Sequence, residues 1–74
     1  MNRKPGAETL VITINGEVAE IAAVPLAEVL ASMGFDFEHA AVAVNEEIVF
    51  RRDLPAYRLR EGDRVEVVAP MSGG

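Results

Sequence analysis

The sequence predicts an α+β domain, a mixed sheet of about four to five strands with one main helix packed across it. Three observations predict it. Residues 9–15 (TLVITIN) are β-branched and alternating, and they run straight into Asn15-Gly16. One short stretch, from Pro25 to Gly34, carries apolar residues at helical spacing. Short valine-bearing runs follow at residues 41–44, 48–50 and 64–69.

Asn-Gly is the strongest short-range hairpin signal, because a type I′ turn needs positive φ at both central residues. A two-residue turn at Asn15-Gly16 also fixes the register. Ile14 then faces Glu17, Thr13 faces Val18, Ile12 faces Ala19 and Leu10 faces Ile21. One side carries Leu10, Ile12, Ala19 and Ile21, a sensible core face. The other carries Val11, Thr13, Val18 and Glu20 and is mixed.

Pro25 opens the helix at a position where a missing N–H does no harm. Leu26, Val29, Leu30 and Met33 form one apolar stripe at i, i+3, i+4 and i+7. Gly34 is placed as the left-handed terminator. Neither Ala23 nor Val24 is a good N-cap, so the start is weak. A helix this short does not survive alone and must lie across the sheet.

Residues 35–40 connect helix to sheet, with Phe35 or Phe37 covering the open end of the core. Residues 41–44 (AVAV) read as a buried strand, Asn45-Glu46-Glu47 as a turn and residues 48–50 as a short strand. Residues 51–55 read as irregular, since Pro55 forbids a central strand. Glu61-Gly62-Asp63 is a tight turn with glycine at its left-handed position. Residues 64–69 form the last strand, with Val65 and Val67 on one face, and Pro70 ends it. The chain between first and last strands supplies the crossover that a parallel pairing needs. A strand pair, a crossing helix and a late strand beside the first outline a β-grasp.

The bulk properties narrow the function. The chain has 74 residues, enough for one domain, expected at 9–69 after a disordered lead-in at 1–8. A net charge of -5 disfavours nucleic acid and anionic membrane as partners. The N-terminus has no apolar stretch to make a signal peptide, and no run is long enough to span a membrane. A cytoplasmic protein is expected. The absence of cysteine excludes disulfides, thiol nucleophiles and zinc-thiolate sites. His39, the single histidine, has no companion ligand in sequence and reads as an exposed loop residue. No metal and no cofactor is expected on this chain.

Carboxylates are plentiful at Glu46, Glu47, Asp53, Glu61, Asp63 and Glu66. A catalytic pair needs a cleft and shifted pKa values, and a chain this short leaves little room for one. A solvated surface explains them better, so no catalytic residue is expected. The unusual chemical asset is the tail at 70–74, Pro-Met-Ser-Gly-Gly. Glycine adds no packing, so the tail is expected to be flexible. Without Cβ atoms, Gly73 and Gly74 fit a narrow channel and present a carboxylate at its bottom. That carboxylate becomes reactive once it attacks the α-phosphate of ATP to give an acyl-adenylate. A partner must supply the cationic side chains and the metal that bring two anions together.

These residues carry a resemblance. The chain is similar to the small β-grasp sulfur carriers, most closely the thiamine-biosynthesis carriers of the ThiS family. The similarity rests on Ile12-Thr13-Ile14-Asn15-Gly16-Glu17 and on the helix ending in Gly34. It continues through residues 41–45, Ile48-Val49, Arg51, residues 59–68 and the final Gly73-Gly74. The resemblance implies a ubiquitin-like β-grasp fold and adenylation of Gly74 by a ThiF-type enzyme using ATP and magnesium. It implies a terminal thiocarboxylate fed by a sulfurtransferase or cysteine desulfurase, and delivery of the sulfur to a ThiG-type thiazole synthase. Gly73 would be the slim spacer, with Met71 and Ser72 lining the channel entry. Partner docking is expected on the outer sheet face around Val11, Val18 and Val68. The ending also resembles that of the molybdopterin-synthase small subunit, MoaD, which is the first alternative. A ubiquitin-like protein modifier and a non-catalytic β-grasp interaction module are the others.

Overall fold

The structure is a computed structural model that describes residues 8–68, except for the Phe37 side chain. The lead-in before Glu8 and the tail at 70–74, with Met71, Ser72, Gly73 and Gly74, lie outside the described residues. Eight elements follow one another: β1 (Thr9–Ile14), β2 (Glu17–Ala22), α1 (Leu26–Ser32), a 3-10 helix (Phe37–His39), β3 (Ala41–Val44), β4 (Glu47–Val49), a second 3-10 helix (Arg51–Ala56) and β5 (Arg64–Val68). The strands make one sheet in the order β2-β1-β5-β3-β4. β1 and β5 run parallel, and the other neighbours are antiparallel. This is the β-grasp arrangement, with five strands.

The first hairpin has the register that a two-residue turn imposes, from Ile14 opposite Glu17 to Leu10 opposite Ile21. Asn15 and Gly16 have φ of 50° and 84°, the left-handed pair a type I′ turn requires. Alternation then sends Ile12, Ile14, Ile21, Val42, Val44, Val49, Val65 and Val67 into the core. Leu26, Ala27, Val29 and Leu30 meet them from α1.

The helix has the weak start and the Gly34 stop that the sequence predicts, and departs from the expected stripe at Met33. Pro25 is the N-cap and gives no side-chain bond to the helix. The Leu26 N–H is satisfied instead by the Tyr57 carbonyl at 2.8 Å. A partner 31 positions along the chain thus does the work of a cap. Met33 belongs to the expected stripe, yet it is 41% exposed. The helix ends at Ser32, and Met33 caps it one residue past the last full turn. Ala27 fills the buried face in its place. Gly34 at φ 87° lets the Gly34 N–H reach the Ala31 carbonyl and the Phe35 N–H reach the Leu30 carbonyl. These two bonds are a Schellman closure. They turn Phe35 back against the core.

Residues 51–55, read as irregular, lie in the second 3-10 helix. It packs against α1 and seats Leu54 at 0% exposure. Pro55 is tolerated because this helix pairs with no strand. The strand expected at residues 48–50 is shifted by one, to Glu47–Val49, leaving Phe50 exposed at its end. No polar or charged side chain is buried among the described residues.

Candidate functional site

The part of the fold from which the sequence runs on into residues 69–74 is the C-terminal end of β5. Val65 and Val67 point into the core, which anchors the strand from below. Its antiparallel neighbour β3 runs along one edge, from Val44 opposite Val65 to Ala41 opposite Val68. On the other edge β1 accompanies it only as far as Ile14 opposite Val65. The chain then turns away at Asn15, whose side chain takes over. Asn15 Oδ1 accepts from the Val67 N–H at 2.9 Å, and Asn15 Nδ2 donates to the Val67 carbonyl at 3.3 Å. β5 is thereby held on both edges up to the point where the sequence continues into residues 69–74.

The opposite end of β5 is fixed by a separate polar knot. Asp63 accepts from the Arg60 N–H at 2.8 Å and from Asn45 Nδ2 at 3.0 Å. Asn45 Oδ1 in turn accepts from the Arg64 N–H at 2.9 Å. The Gly62 N–H donates to the Val11 carbonyl, and the Val11 N–H donates to the Glu61 carboxylate. The Glu61-Gly62-Asp63 turn is therefore tied to both neighbouring strands before β5 begins.

Val11, Val18 and Val68 all project from the open face of the sheet, with exposures of 43%, 74% and 71%. They do not form one patch. Val11 and Val18 are diagonal neighbours on β1 and β2, because Val18 sits opposite Thr13. The parallel pairing places Arg64 opposite Thr13, so Val68 lies four residues further along β5. The charged Arg64 and Glu66 stand between.

Val68 has different apolar company, which the sequence reading missed. It pairs with Ala41, while Ala43 sits between Glu66 and Ile48. Ile48 is 64% exposed on this same face, and the exposed Phe50 follows one turn of the pleat later. The Arg52 guanidinium lies 5.6 Å from the Phe50 ring centroid, a cation–π approach. The available signal was alternation: Val49 faces the core, so Ile48 and Phe50 face away.

The ionisable side chains of the described residues all lie outside the buried core. No group of three His, Cys, Asp or Glu side chains among the described residues is placed to hold a metal. His39 is exposed and bonds Asp36 at 3.0 Å. That side-chain hydrogen bond is the main reason the Asp36 carboxyl lies below its ordinary range. The pair is a local clasp on the first 3-10 helix. No helix of the described residues is long and apolar enough to cross a membrane.

Comparison with known proteins agrees with this geometry. The model of the ThiS family matches residues 12–74. The sulfur carrier protein ThiS of Thermus thermophilus is 43% identical over 63 residues, covering 85% of this chain and 98% of that one. The crystal structure of the thiamine biosynthesis protein ThiS from Geobacter metallireducens superposes with a TM-score of 0.73 at 26% identity, covering 88% of this chain and 100% of the other. An NMR solution structure of a thiamine biosynthesis protein from the same organism gives 0.71 at 26% identity, covering 88% of each. The fold is the ubiquitin-like β-grasp of these neighbours.

Proposed function

Because the chain belongs to the ThiS family, we propose that it is a sulfur carrier protein of thiamine biosynthesis, a cytoplasmic protein co-substrate with no reaction centre of its own. The observation that carries the reading is the family match, which runs through β5 and onward to residue 74. Support also comes from the way β5 is held on both edges up to Val67 and Val68. A rigid body that ends just short of a thin, glycine-terminated segment suits a protein recognised by its surface and reacted at its tip.

In this reading the Gly74 carboxylate oxygen attacks the α-phosphate of ATP in the site of a ThiF-type adenylating enzyme. Pyrophosphate leaves, and Gly74 carries an acyl-adenylate. A persulfide sulfur supplied by a sulfurtransferase or cysteine desulfurase then attacks the acyl carbon and displaces AMP, giving an acyl disulfide. A thiol cleaves its S–S bond by becoming the disulfide partner of the donor sulfur. The product is a Gly74 thiocarboxylate, which a ThiG-type thiazole synthase consumes. Gly73 is the spacer, and Met71 and Ser72 line the channel mouth. The adenylating enzyme provides ATP, magnesium and the cationic groups that let two anions meet.

Docking uses the open face of the sheet. Of the three valines, Val68 leads directly into the tail and is joined by Ile48 and Phe50. Val11 and Val18 form a second, more distant contact.

The test is isotope exchange. A ThiF-type enzyme supplied with this protein, ATP and labelled pyrophosphate incorporates label into ATP. One residue appended after Gly74 abolishes the exchange without altering the fold. Exchange that persists with the appended residue contradicts the reading.

A further inference from the structure

The Asn15 carboxamide bonds the two backbone groups of Val67 that a longer β1 would have paired. The parallel ladder between β1 and β5 runs from Thr13 N–H to the Asp63 carbonyl at 3.0 Å, then from Asn15 N–H to the Val65 carbonyl at 2.9 Å. A strand that continued would next accept from Val67 N–H with a backbone carbonyl and donate to the Val67 carbonyl with a backbone N–H. Asn15 cannot continue, because at φ 50° it begins the turn into β2. Its side chain makes both bonds instead: Oδ1 accepts from Val67 N–H and Nδ2 donates to the Val67 carbonyl. A primary amide has the same donor and acceptor as a peptide group, so the substitution is chemically complete.

We infer that Asn15 is a positioning residue for the reactive end of the chain. It fixes the line along which β5 leaves the sheet, and so limits the directions in which residues 69–74 are presented to the activating enzyme. The inference rests on the carrier reading above. Both central positions of this turn need positive φ, which glycine satisfies as well as asparagine does. The turn alone therefore does not demand a carboxamide at position 15. The two bonds to Val67 do.

Pre-organisation of this kind lowers the entropy lost when a segment enters a channel. Its loss raises KM more than it lowers kcat, because a seated tail is positioned by the enzyme. Asn15→Gly keeps the turn and removes both bonds. Asn15→Asp keeps the acceptor for Val67 N–H but sets a carboxylate oxygen against the Val67 carbonyl.

The experiment has two readouts on the full-length protein. Amide hydrogen exchange compares Val67 with Thr13 and Gly62, whose N–H groups bond backbone carbonyls. The expected result for Asn15→Gly is Val67 exchange faster by roughly tenfold, with Thr13 and Gly62 unchanged, the scale of one or two net hydrogen bonds. Asn15→Asp falls between it and wild type. Steady-state activation by a ThiF-type enzyme then shows KM raised several-fold and kcat nearly constant, in the same order. Wild-type Val67 exchange in Asn15→Gly overturns the inference, and so do wild-type kinetic constants alongside faster exchange. A wild-type chain that no such enzyme activates overturns the carrier reading and removes the role with it. The exchange ratio then still reports whether the carboxamide holds β5.

Discussion

The Glu46 carboxylate lies 3.6 Å from the Arg64 guanidinium, and Glu46 reaches it from a left-handed backbone at φ 72°. Asn45 beside it has φ 51°, so the turn between β3 and β4 is built like the Asn15-Gly16 turn but without glycine. The two features of Glu46 oppose each other. A non-glycine residue in this region costs about 1–2 kcal/mol. Two exposed charges contribute at most ~1 kcal/mol and less in salt.

Glu46→Ala loses the ion pair and keeps the strain, whereas Glu46→Gly loses both. Elsewhere in a folded chain glycine is the less stable of the two by roughly 0.5–1 kcal/mol. Here the order inverts, with Glu46→Gly more stable than Glu46→Ala by about 1 kcal/mol. Urea midpoints of the two variants decide it. Equal midpoints, or alanine ahead, refute the assignment of strain to this turn.

At Leu54 a single side chain carries much of the fold. It is fully buried against α1 from a six-residue 3-10 helix. Truncating it leaves a cavity that a short, proline-containing segment cannot close. Leu54→Ala is expected to cost about 3 kcal/mol. A domain of this size is stable by only ~5 kcal/mol, so most of its margin goes. Thermal unfolding shows this as a fall in Tm far larger than that of Pro55→Ala, which removes only exposed surface.

These cases mark what the sequence discloses. The first hairpin was legible to the residue, because Asn15-Gly16 is local chemistry and alternation does the rest. The parallel pairing of first and last strands was legible from topology. The buried role of Leu54 was not, since Pro55 signals a break in strand or α-helix and says nothing against a 3-10 turn. The exposure of Met33 was hidden for a related reason. Periodicity continues past a helix end that only the Gly34 closure defines. The site shows the same divide. The individual exposure of Val11, Val18 and Val68 follows from alternation, but their separation depends on where β5 registers against β1. No local signal encodes that register. The partnership of Val68 with Ile48 and Phe50 was missed for the same cause.

That separation gives a functional prediction. With docking centred on the face around Val68, Val68→Ser and Ile48→Ser each lower kcat/KM for activation by roughly tenfold, the scale of one buried aliphatic contact. Val18→Ser, at the far end of the face, costs much less. All three sites are exposed, so stability changes stay within about 0.5 kcal/mol. Competition assays with the activating enzyme separate them, and an equal or greater effect at Val18 refutes the placement.

The proposed carrier role depends above all on acceptance of sulfur at Gly74. The most direct measurement is the intact mass of the protein purified after co-expression with its ThiF-type enzyme and a sulfur donor. The expected result is a gain equal to one oxygen exchanged for one sulfur, located in the C-terminal peptide and lost when Gly74 is replaced by alanine. An unchanged mass under conditions where the enzyme is active, or a gain that survives Gly74→Ala, contradicts it.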